Sequence, residues 1–190
     1  LANILDSRDA SSIDHDAAFR IIRQIGDALD YAHRCGIIHA DVKPGNIMIL
    51  PGGDAKLFDF GIARVRQKHT GPDFDPGVLG GLTAAYSSMQ VLTGENPTVA
   101  DDVFSLACLL YRLIAGYRVF GPRNAAEASQ EGMKPQRLRA LTDDQWRAIK
   151  KALSNSRVMR FNSVREFLDA LDASSNEIIP DARPERVIEE

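Results

Sequence analysis

Cysteine is nearly absent. Cys35 and Cys108 are the only two among 190 residues, too few for a disulfide framework. Each falls in a predicted helical setting, so both read as buried thiols in a reducing cytosol, and a cytoplasmic location is expected. No apolar run approaches the roughly 18 residues that a membrane span needs, and no signal-peptide pattern is present. The chain opens on Leu1 instead of Met, so an upstream portion is expected to have been removed or left out. Charge is not concentrated either: 23 Lys and Arg stand against 26 Asp and Glu, a net charge of −3, with the basic residues scattered. That pattern points to no nucleic-acid or membrane-surface partner. Internal repeats and low-complexity tracts are also missing. What is present, 44% hydrophobic and 26% charged residues, is ordinary for a soluble globular protein. There is chain enough to bury a sizeable core, and one domain is the natural count.

Leu1 to Ser12 is polar and short of apolar periodicity. From Asp14, the residues Phe19, Ile22, Ile25, Leu29 and Ala32 recur at three- and four-residue steps, which predicts a helix with one buried stripe. Asp14 or Asp16 can cap it, and Gly36 ends it. His33 and Arg34 then stand in the last turn, where cations suit the helix dipole. Asp101 to Ala115 is apolar on nearly every side, so a helix buried all round is expected there, stopped by Gly116. A short helix is expected over Ala125 to Glu131. Thr142-Asp143-Asp144-Gln145 and Ser163-Val164-Arg165-Glu166 both fit the capping box, in which a hydroxyl and a Glu or Gln satisfy free backbone N–H groups reciprocally. The helices they open turn Trp146, Ile149 and Leu153, and Phe167, Leu168 and Leu171, inward, with Trp146 assigned to the core. The domain is expected to span residues 1–172. Residues 173–190 turn polar, with Pro180 and Pro184, and read as a tail or linker.

Between the two main helices the pattern changes. Asn46 precedes an apolar run, Ile47 to Leu50; Pro51-Gly52-Gly53-Asp54 is dense in turn formers; Ala55 to Phe58 is a second run that ends at Asp59. Two short strands around such a turn make a β-hairpin. Its open end is expected to bring Asn46 and Asp59 together, at the roughly 5 Å of paired Cα atoms. An amide oxygen beside a carboxylate suits a hard cation such as Mg²⁺, which needs few protein ligands when phosphates supply the rest. Asp41 and Lys43 lie two apart in the lead-in, so in an extended segment they point to one side. One is a proton acceptor and the other a fixed positive charge. After the hairpin, Ile62 to Leu82 reads as a loop, because Gly71-Pro72, Pro76-Gly77 and Gly80-Gly81 break any periodicity.

This arrangement resembles the catalytic core of protein kinases. His39-Ala40-Asp41 stands where that family carries His-Arg-Asp, Asn46 lies at the matching offset, and Asp59-Phe60-Gly61 matches its Asp-Phe-Gly. Lys43-Pro44 resembles the serine/threonine branch. A lone Asp-Phe-Gly is a weak signal, but both motifs in order around a hairpin are hard to obtain by accident. The resemblance implies a mainly α (α+β) fold, the large C-terminal lobe of a kinase: a helical bundle around a buried central helix, with the small hairpin at the catalytic loop. It further implies ATP as co-substrate with Mg²⁺, and a protein serine or threonine as acceptor. Asp41 would accept or orient the hydroxyl proton, Lys43 would stabilise the transferring phosphoryl group, and Asn46 and Asp59 would hold the metal. Ile62 to Leu82 becomes the activation segment, and Thr83 would position the acceptor. His39, Gly61, Asp102 and Arg160 become structural supports. Asp102 would anchor the catalytic-loop backbone, with a helix N-cap as its plain alternative. Ser87 and Ser88 read as a polar helix entry.

Three features depart from the family. No glycine-rich phosphate loop, strand lysine or partnering glutamate precedes the first helix, so a small N-terminal lobe is expected upstream. Alone, the chain is expected to bind ATP·Mg²⁺ weakly and to have no useful turnover. Ala40 replaces the arginine that clamps a segment phosphate, so phosphorylation of Thr70 is not the expected switch by that route, although Arg64 or Arg66 would be substitutes. Met89-Gln90 stands where Pro-Glu is usual. The usual partner of that glutamate matches Arg160, and Glu95 is expected to take over the pairing, because an uncompensated buried charge costs several kcal/mol. A solvent-exposed Arg160 is the bland alternative. Retention of Asp41, Lys43, Asn46 and Asp59 favours an active kinase. The altered Ala40, Met89 and Gln90 support the alternative, a pseudokinase or scaffold lobe that binds a protein partner.

Overall fold

The computed structural model describes residues 1–6, 13–60, 64–65 and 84–173. A five-residue helix, α1 (Ala2–Asp6), opens the chain. The helix α2 (His15–Arg34) follows where the apolar spacing falls, and Asp14 caps it by accepting from the Ala17 N–H at 2.7 Å. Its stripe of Phe19, Ile22, Ile25 and Leu29 is buried. Gly36 takes φ +78 just past the end, a left-handed conformation that glycine adopts without steric cost. Gly26 serves differently: a Cβ there would lie 2.8 Å from the Leu168 side chain, so its absence lets another helix approach closely.

Two small antiparallel sheets come next. Strand β1 (Ile37–Ile38) pairs with β4 (Arg64–Val65), and β2 (Ile47–Ile49) pairs with β3 (Ala55–Leu57). The hairpin β2–β3 is the one expected, one residue shorter in each strand. Gln24 of α2 fastens it: its Oε1 accepts from the Ala55 N–H at 2.7 Å and its Nε2 donates to Asp54 at 2.9 Å.

The remaining helices are α3 (Met89–Leu92), α4 (Val99–Ala115), α5 (Ala125–Gln130), α6 (Asp143–Ala152) and α7 (Val164–Asp172). Helix α4 is buried without interruption from Asp101 to Tyr111, and α2, α6 and α7 all pack on it. It is the central helix of a mainly α lobe. It begins two residues earlier than its apolar run, because Thr98 and Asp101 form a capping box there. Asp102 therefore lies inside the helix and is not its N-cap. The Thr142 and Gln145 box closes reciprocally at 3.2 and 3.1 Å. The Ser163 box is only half made, because Glu166 accepts from the Asn162 N–H instead of the Ser163 N–H. Trp146 is partly buried against the core.

Both cysteines are free, and Cys108 is buried as expected, whereas Cys35 is exposed. The reason is position: Cys35 follows the last turn of α2 as its cap, beyond the buried stripe. Among the described residues no helix is long and apolar enough to cross a membrane. The expected tail falls almost wholly on 174–190, outside the described residues.

Candidate active site

The loop His39–Lys43 leaves β1 and is held from beneath by α4. Asp102, fully buried, receives three hydrogen bonds. Its Oδ2 accepts from the His39 N–H at 2.9 Å and from His33 Nε2 at 2.7 Å, and its Oδ1 accepts from the Ala40 N–H at 2.9 Å. A carboxylate only accepts, so the His33 ring carries its hydrogen on Nε2. Ala40 has φ +65, a left-handed conformation that costs a residue with a Cβ roughly 1–2 kcal/mol. The two backbone bonds to Asp102 maintain it.

His39 ties this loop to the hairpin. Its Nδ1 accepts from the Asp41 N–H at 3.2 Å, which leaves the ring hydrogen on Nε2, facing the Phe58 carbonyl at 3.3 Å. The ring packs on Phe60, centroid to centroid 4.6 Å.

Asp41 is buried, and its two oxygens differ. Oδ2 is paired with Lys43 Nζ at 2.7 Å and accepts from Asn46 Nδ2 at 2.9 Å. Oδ1 is buried and has no hydrogen-bond partner among the described residues. Asn46 Nδ2 donates to the Asp41 carbonyl as well, at 2.8 Å, so the amide nitrogen is spent on Asp41 and the amide oxygen is turned away from it. The residue opposite Asn46 in the hairpin is Phe58, whose N–H donates to the Asn46 carbonyl at 3.0 Å. Asp59 is the next residue along, exposed, with φ +65. The expectation of direct pairing is thus off by one residue, because the Leu50 N–H donates to the Asp54 carbonyl at 2.8 Å, which leaves a three-residue turn over 51–53 instead of the four turn formers and shifts the register by one. Among the described residues no group of three or more His, Cys, Asp and Glu could hold a metal. Asn46 and Asp59 at one hairpin end offer an amide and a carboxylate, the oxygen-ligand chemistry that suits a hard cation whose other ligands come from phosphates. Gly61 and Thr83 lie outside the described residues, as do Arg66 and Thr70; of Arg64, the backbone pairs with Ile38.

Residues 1–176 match the family described as protein kinase domain. The chain belongs to the protein kinase family. It is 33% identical over 176 residues to serine/threonine-protein kinase PknA of Mycobacterium tuberculosis, covering 91% of this chain and 40% of that protein. Serine/threonine-protein kinase PknJ of the same species is 34% identical over 184 residues, covering 90% of this chain and 31% of the relative. A probable serine/threonine-protein kinase PknB of Bifidobacterium longum is 36% identical over 148 residues, 74% of this chain and 21% of the relative. The chain spans less than half the length of these curated relatives.

Where the kinase family usually has its Pro-Glu, this lobe has built a different contact. Arg160 is buried, which removes the reading of it as solvent-exposed. Its Nη2 donates to Gln90 Oε1 at 2.7 Å, its Nη1 to Asp101 Oδ1 at 3.0 Å and its Nε to the Ser154 carbonyl at 2.8 Å. Glu95 is not its partner. Glu95 pairs with Arg157 at 2.9 Å, and Arg157 also reaches Asp101 at 2.9 Å. The reason is depth: Asp101 is buried beside Arg160, whereas the Glu95 side chain is 55% exposed. Burial pulls the Arg160 guanidinium down from its ordinary pKa, and Asp101 opposes that. Burial also pushes Asp101 up, but hydrogen bonds from Ser88 and Thr98 and the Arg157 charge outweigh it and hold the group below the usual carboxylate value. A double-mutant cycle between Glu95 and Arg160 is accordingly expected to show no coupling, and one between Glu95 and Arg157 no more than about 1 kcal/mol. Coupling of Glu95 to Arg160 in chemical denaturation would contradict this geometry.

Neither His33 nor Asp101 stood out as a site residue in the sequence. His33 read as a dipole-compensating cation and Asp101 as the edge of an apolar run. The Thr-x-x-Asp spacing of Thr98 and Asp101 is the local signal that places Asp101 in the first turn of the helix instead of at its start.

Proposed function

We propose that this lobe serves, in the full-length protein, as the substrate-side half of a serine/threonine protein kinase that moves the ATP γ-phosphoryl group to a protein hydroxyl. The single observation that carries this reading is the asymmetry of Asp41. Lys43 and Asn46 occupy Oδ2, while Oδ1 is buried and without a hydrogen-bond partner among the described residues. A buried acceptor without a donor costs about 1–3 kcal/mol, so a hydroxyl that donates to Oδ1 is favoured there. The hydroxyl oxygen would bond to the γ-phosphorus as the bond to the β–γ bridging oxygen breaks and ADP leaves, while the O–H bond gives up its proton, which Asp41 orients or takes. Lys43 lies on the same carboxylate and places a positive charge beside the transferring group. Asn46 and Asp59 would hold Mg²⁺, which when bound with ATP neutralises the phosphate charge. The other half of the nucleotide pocket would come from an upstream N-lobe with a glycine-rich loop and a strand lysine. Ala40 removes a side-chain clamp for a segment phosphate but leaves the loop backbone anchored on Asp102.

Two measurements test this. The full-length protein is expected to transfer label from γ-labelled ATP to serine or threonine; complete absence of transfer would favour the scaffold alternative. Titration calorimetry of the isolated chain with Mg·ATP is expected to give no affinity in the micromolar range. Micromolar binding would show that the lobe needs no upstream half.

A further inference from the structure

Helix α4 grips the stretch 84–90, which closes the activation segment, at two levels one turn apart. Ser105 Oγ donates to the Tyr86 carbonyl at 2.8 Å, and Asp101 Oδ1 accepts from Ser88 Oγ at 2.6 Å. Both Ser88 and Asp101 are buried. Residues four apart on a helix share a face, so the two grips act together. Asp101 does more than hold Ser88. Its Oδ2 accepts from the Thr98 N–H at 2.8 Å and from the Thr98 hydroxyl at 2.9 Å, and Arg157 and Arg160 both contact the carboxylate. One side chain therefore joins the segment end, the start of the central helix and two guanidinium groups of the loop before α7.

The charge balance of this cluster is complete. Asp101 and Glu95 face Arg157 and Arg160, two negative against two positive, and Gln90 adds a neutral contact. A glutamate at position 90 would be a third carboxylate. It would also lose the bond that Gln90 Nε2 donates to the Asn155 carbonyl at 2.7 Å. The neutral residue at 90 and the acid at 101 thus belong together.

We infer that Asp101 is a positioning residue that anchors the end of the activation segment to the lobe, in the place of the glutamate that position 90 lacks. Its effect on acceptor binding rests on the kinase reading above; its role as the anchor does not. Asp101 touches no reacting atom. It holds Ser88 directly and Gln90 through Arg160.

The experiment uses the full-length protein with Gln90→Glu, Asp101→Asn and the double variant, followed by thermal melting and by peptide and ATP kinetics. Gln90→Glu alone is expected to lower the melting temperature, and in the Asp101→Asn background to raise it. Asp101→Asn is expected to raise KM for an acceptor peptide by about tenfold while KM for ATP stays unchanged, and the double variant is expected to recover most of that loss. A Gln90→Glu effect of the same sign in both backgrounds would overturn the assignment, as would equal rises in both KM values. Should Asp101→Asn fail to fold, Gln90→Glu in the native background still decides, because a higher melting temperature there means that Arg160 lacked its counter-charge. Absence of phosphate transfer would sink the kinase reading, and the sign reversal in melting would still decide the anchor.

Discussion

Asp41→Asn in the full-length protein is expected to lower kcat for phosphoryl transfer by about 10²- to 10⁴-fold, the usual contribution of a positioned acid–base group. The geometry gives the reason to expect so large an effect from so small a change. If the asparagine keeps its oxygen toward Lys43 and Asn46, its NH₂ takes the place of Oδ1 and donates where the proposed acceptor hydroxyl would also donate. If the amide flips, its NH₂ faces the Lys43 ammonium and the Asn46 amide, donor against donor. Neither orientation leaves an acceptor for the hydroxyl with the loop intact. Volume is conserved, so the melting temperature and KM for ATP should move little. Steady-state kinetics with γ-labelled ATP and a peptide acceptor measure the effect, and a variant with native kcat would remove Asp41 from the reaction.

Asp102→Asn is expected to be the most destabilising single substitution near the site, at about 3–5 kcal/mol. Both carboxylate oxygens accept from backbone N–H groups, His39 on one and Ala40 on the other, with His33 added to the first. An amide has one acceptor and one donor end. Whichever way it turns, an N–H of the loop meets an NH₂ inside a fully buried pocket. The strained φ at Ala40 then loses one of the two backbone bonds that sustain it. For a chain of this size the loss corresponds to a melting temperature lower by about 6–20 °C in calorimetry. Transfer activity should fall as well, because Asp41 directly follows the two anchored residues. A shift of only a degree or two would mean that the loop is held by something other than Asp102.

Much of the architecture was legible from residue spacing. The three- and four-step stripe of α2, the all-round apolarity of α4 and the Pro/Gly turn of the hairpin each express forces that act within a few residues: helix periodicity, burial of a face, and φ values that only certain turns accept. That Asp41 and Lys43 share one side was legible for the same reason, since they lie two residues apart, whereas the bond from Asn46 to Asp41 was not, because the spacing only set Asn46 against the far strand. Errors arose at element ends. Pairing of Leu50 with Asp54 leaves a three-residue turn, which puts Phe58, not Asp59, opposite Asn46, and the Thr98 capping box moves the start of α4 back past Asp101. At such ends the hydrophobic pattern fades and backbone hydrogen bonding decides.

By itself the sequence determined a helical lobe around one buried helix and a loop carrying Asp41, Lys43 and Asn46, because each depends on neighbours in the chain. Only the tertiary structure decided which charge meets which. Arg160 and Asp101 are 59 positions apart, and His33 and Asp102 are 69 apart. Glu95 and Asp101 offer the same carboxylate to Arg160, and nothing in their spacing ranks them. Depth ranks them: a guanidinium inside the lobe needs a counter-charge at its own depth, and the packing of α4 buries Asp101 there while Glu95 stays at the surface.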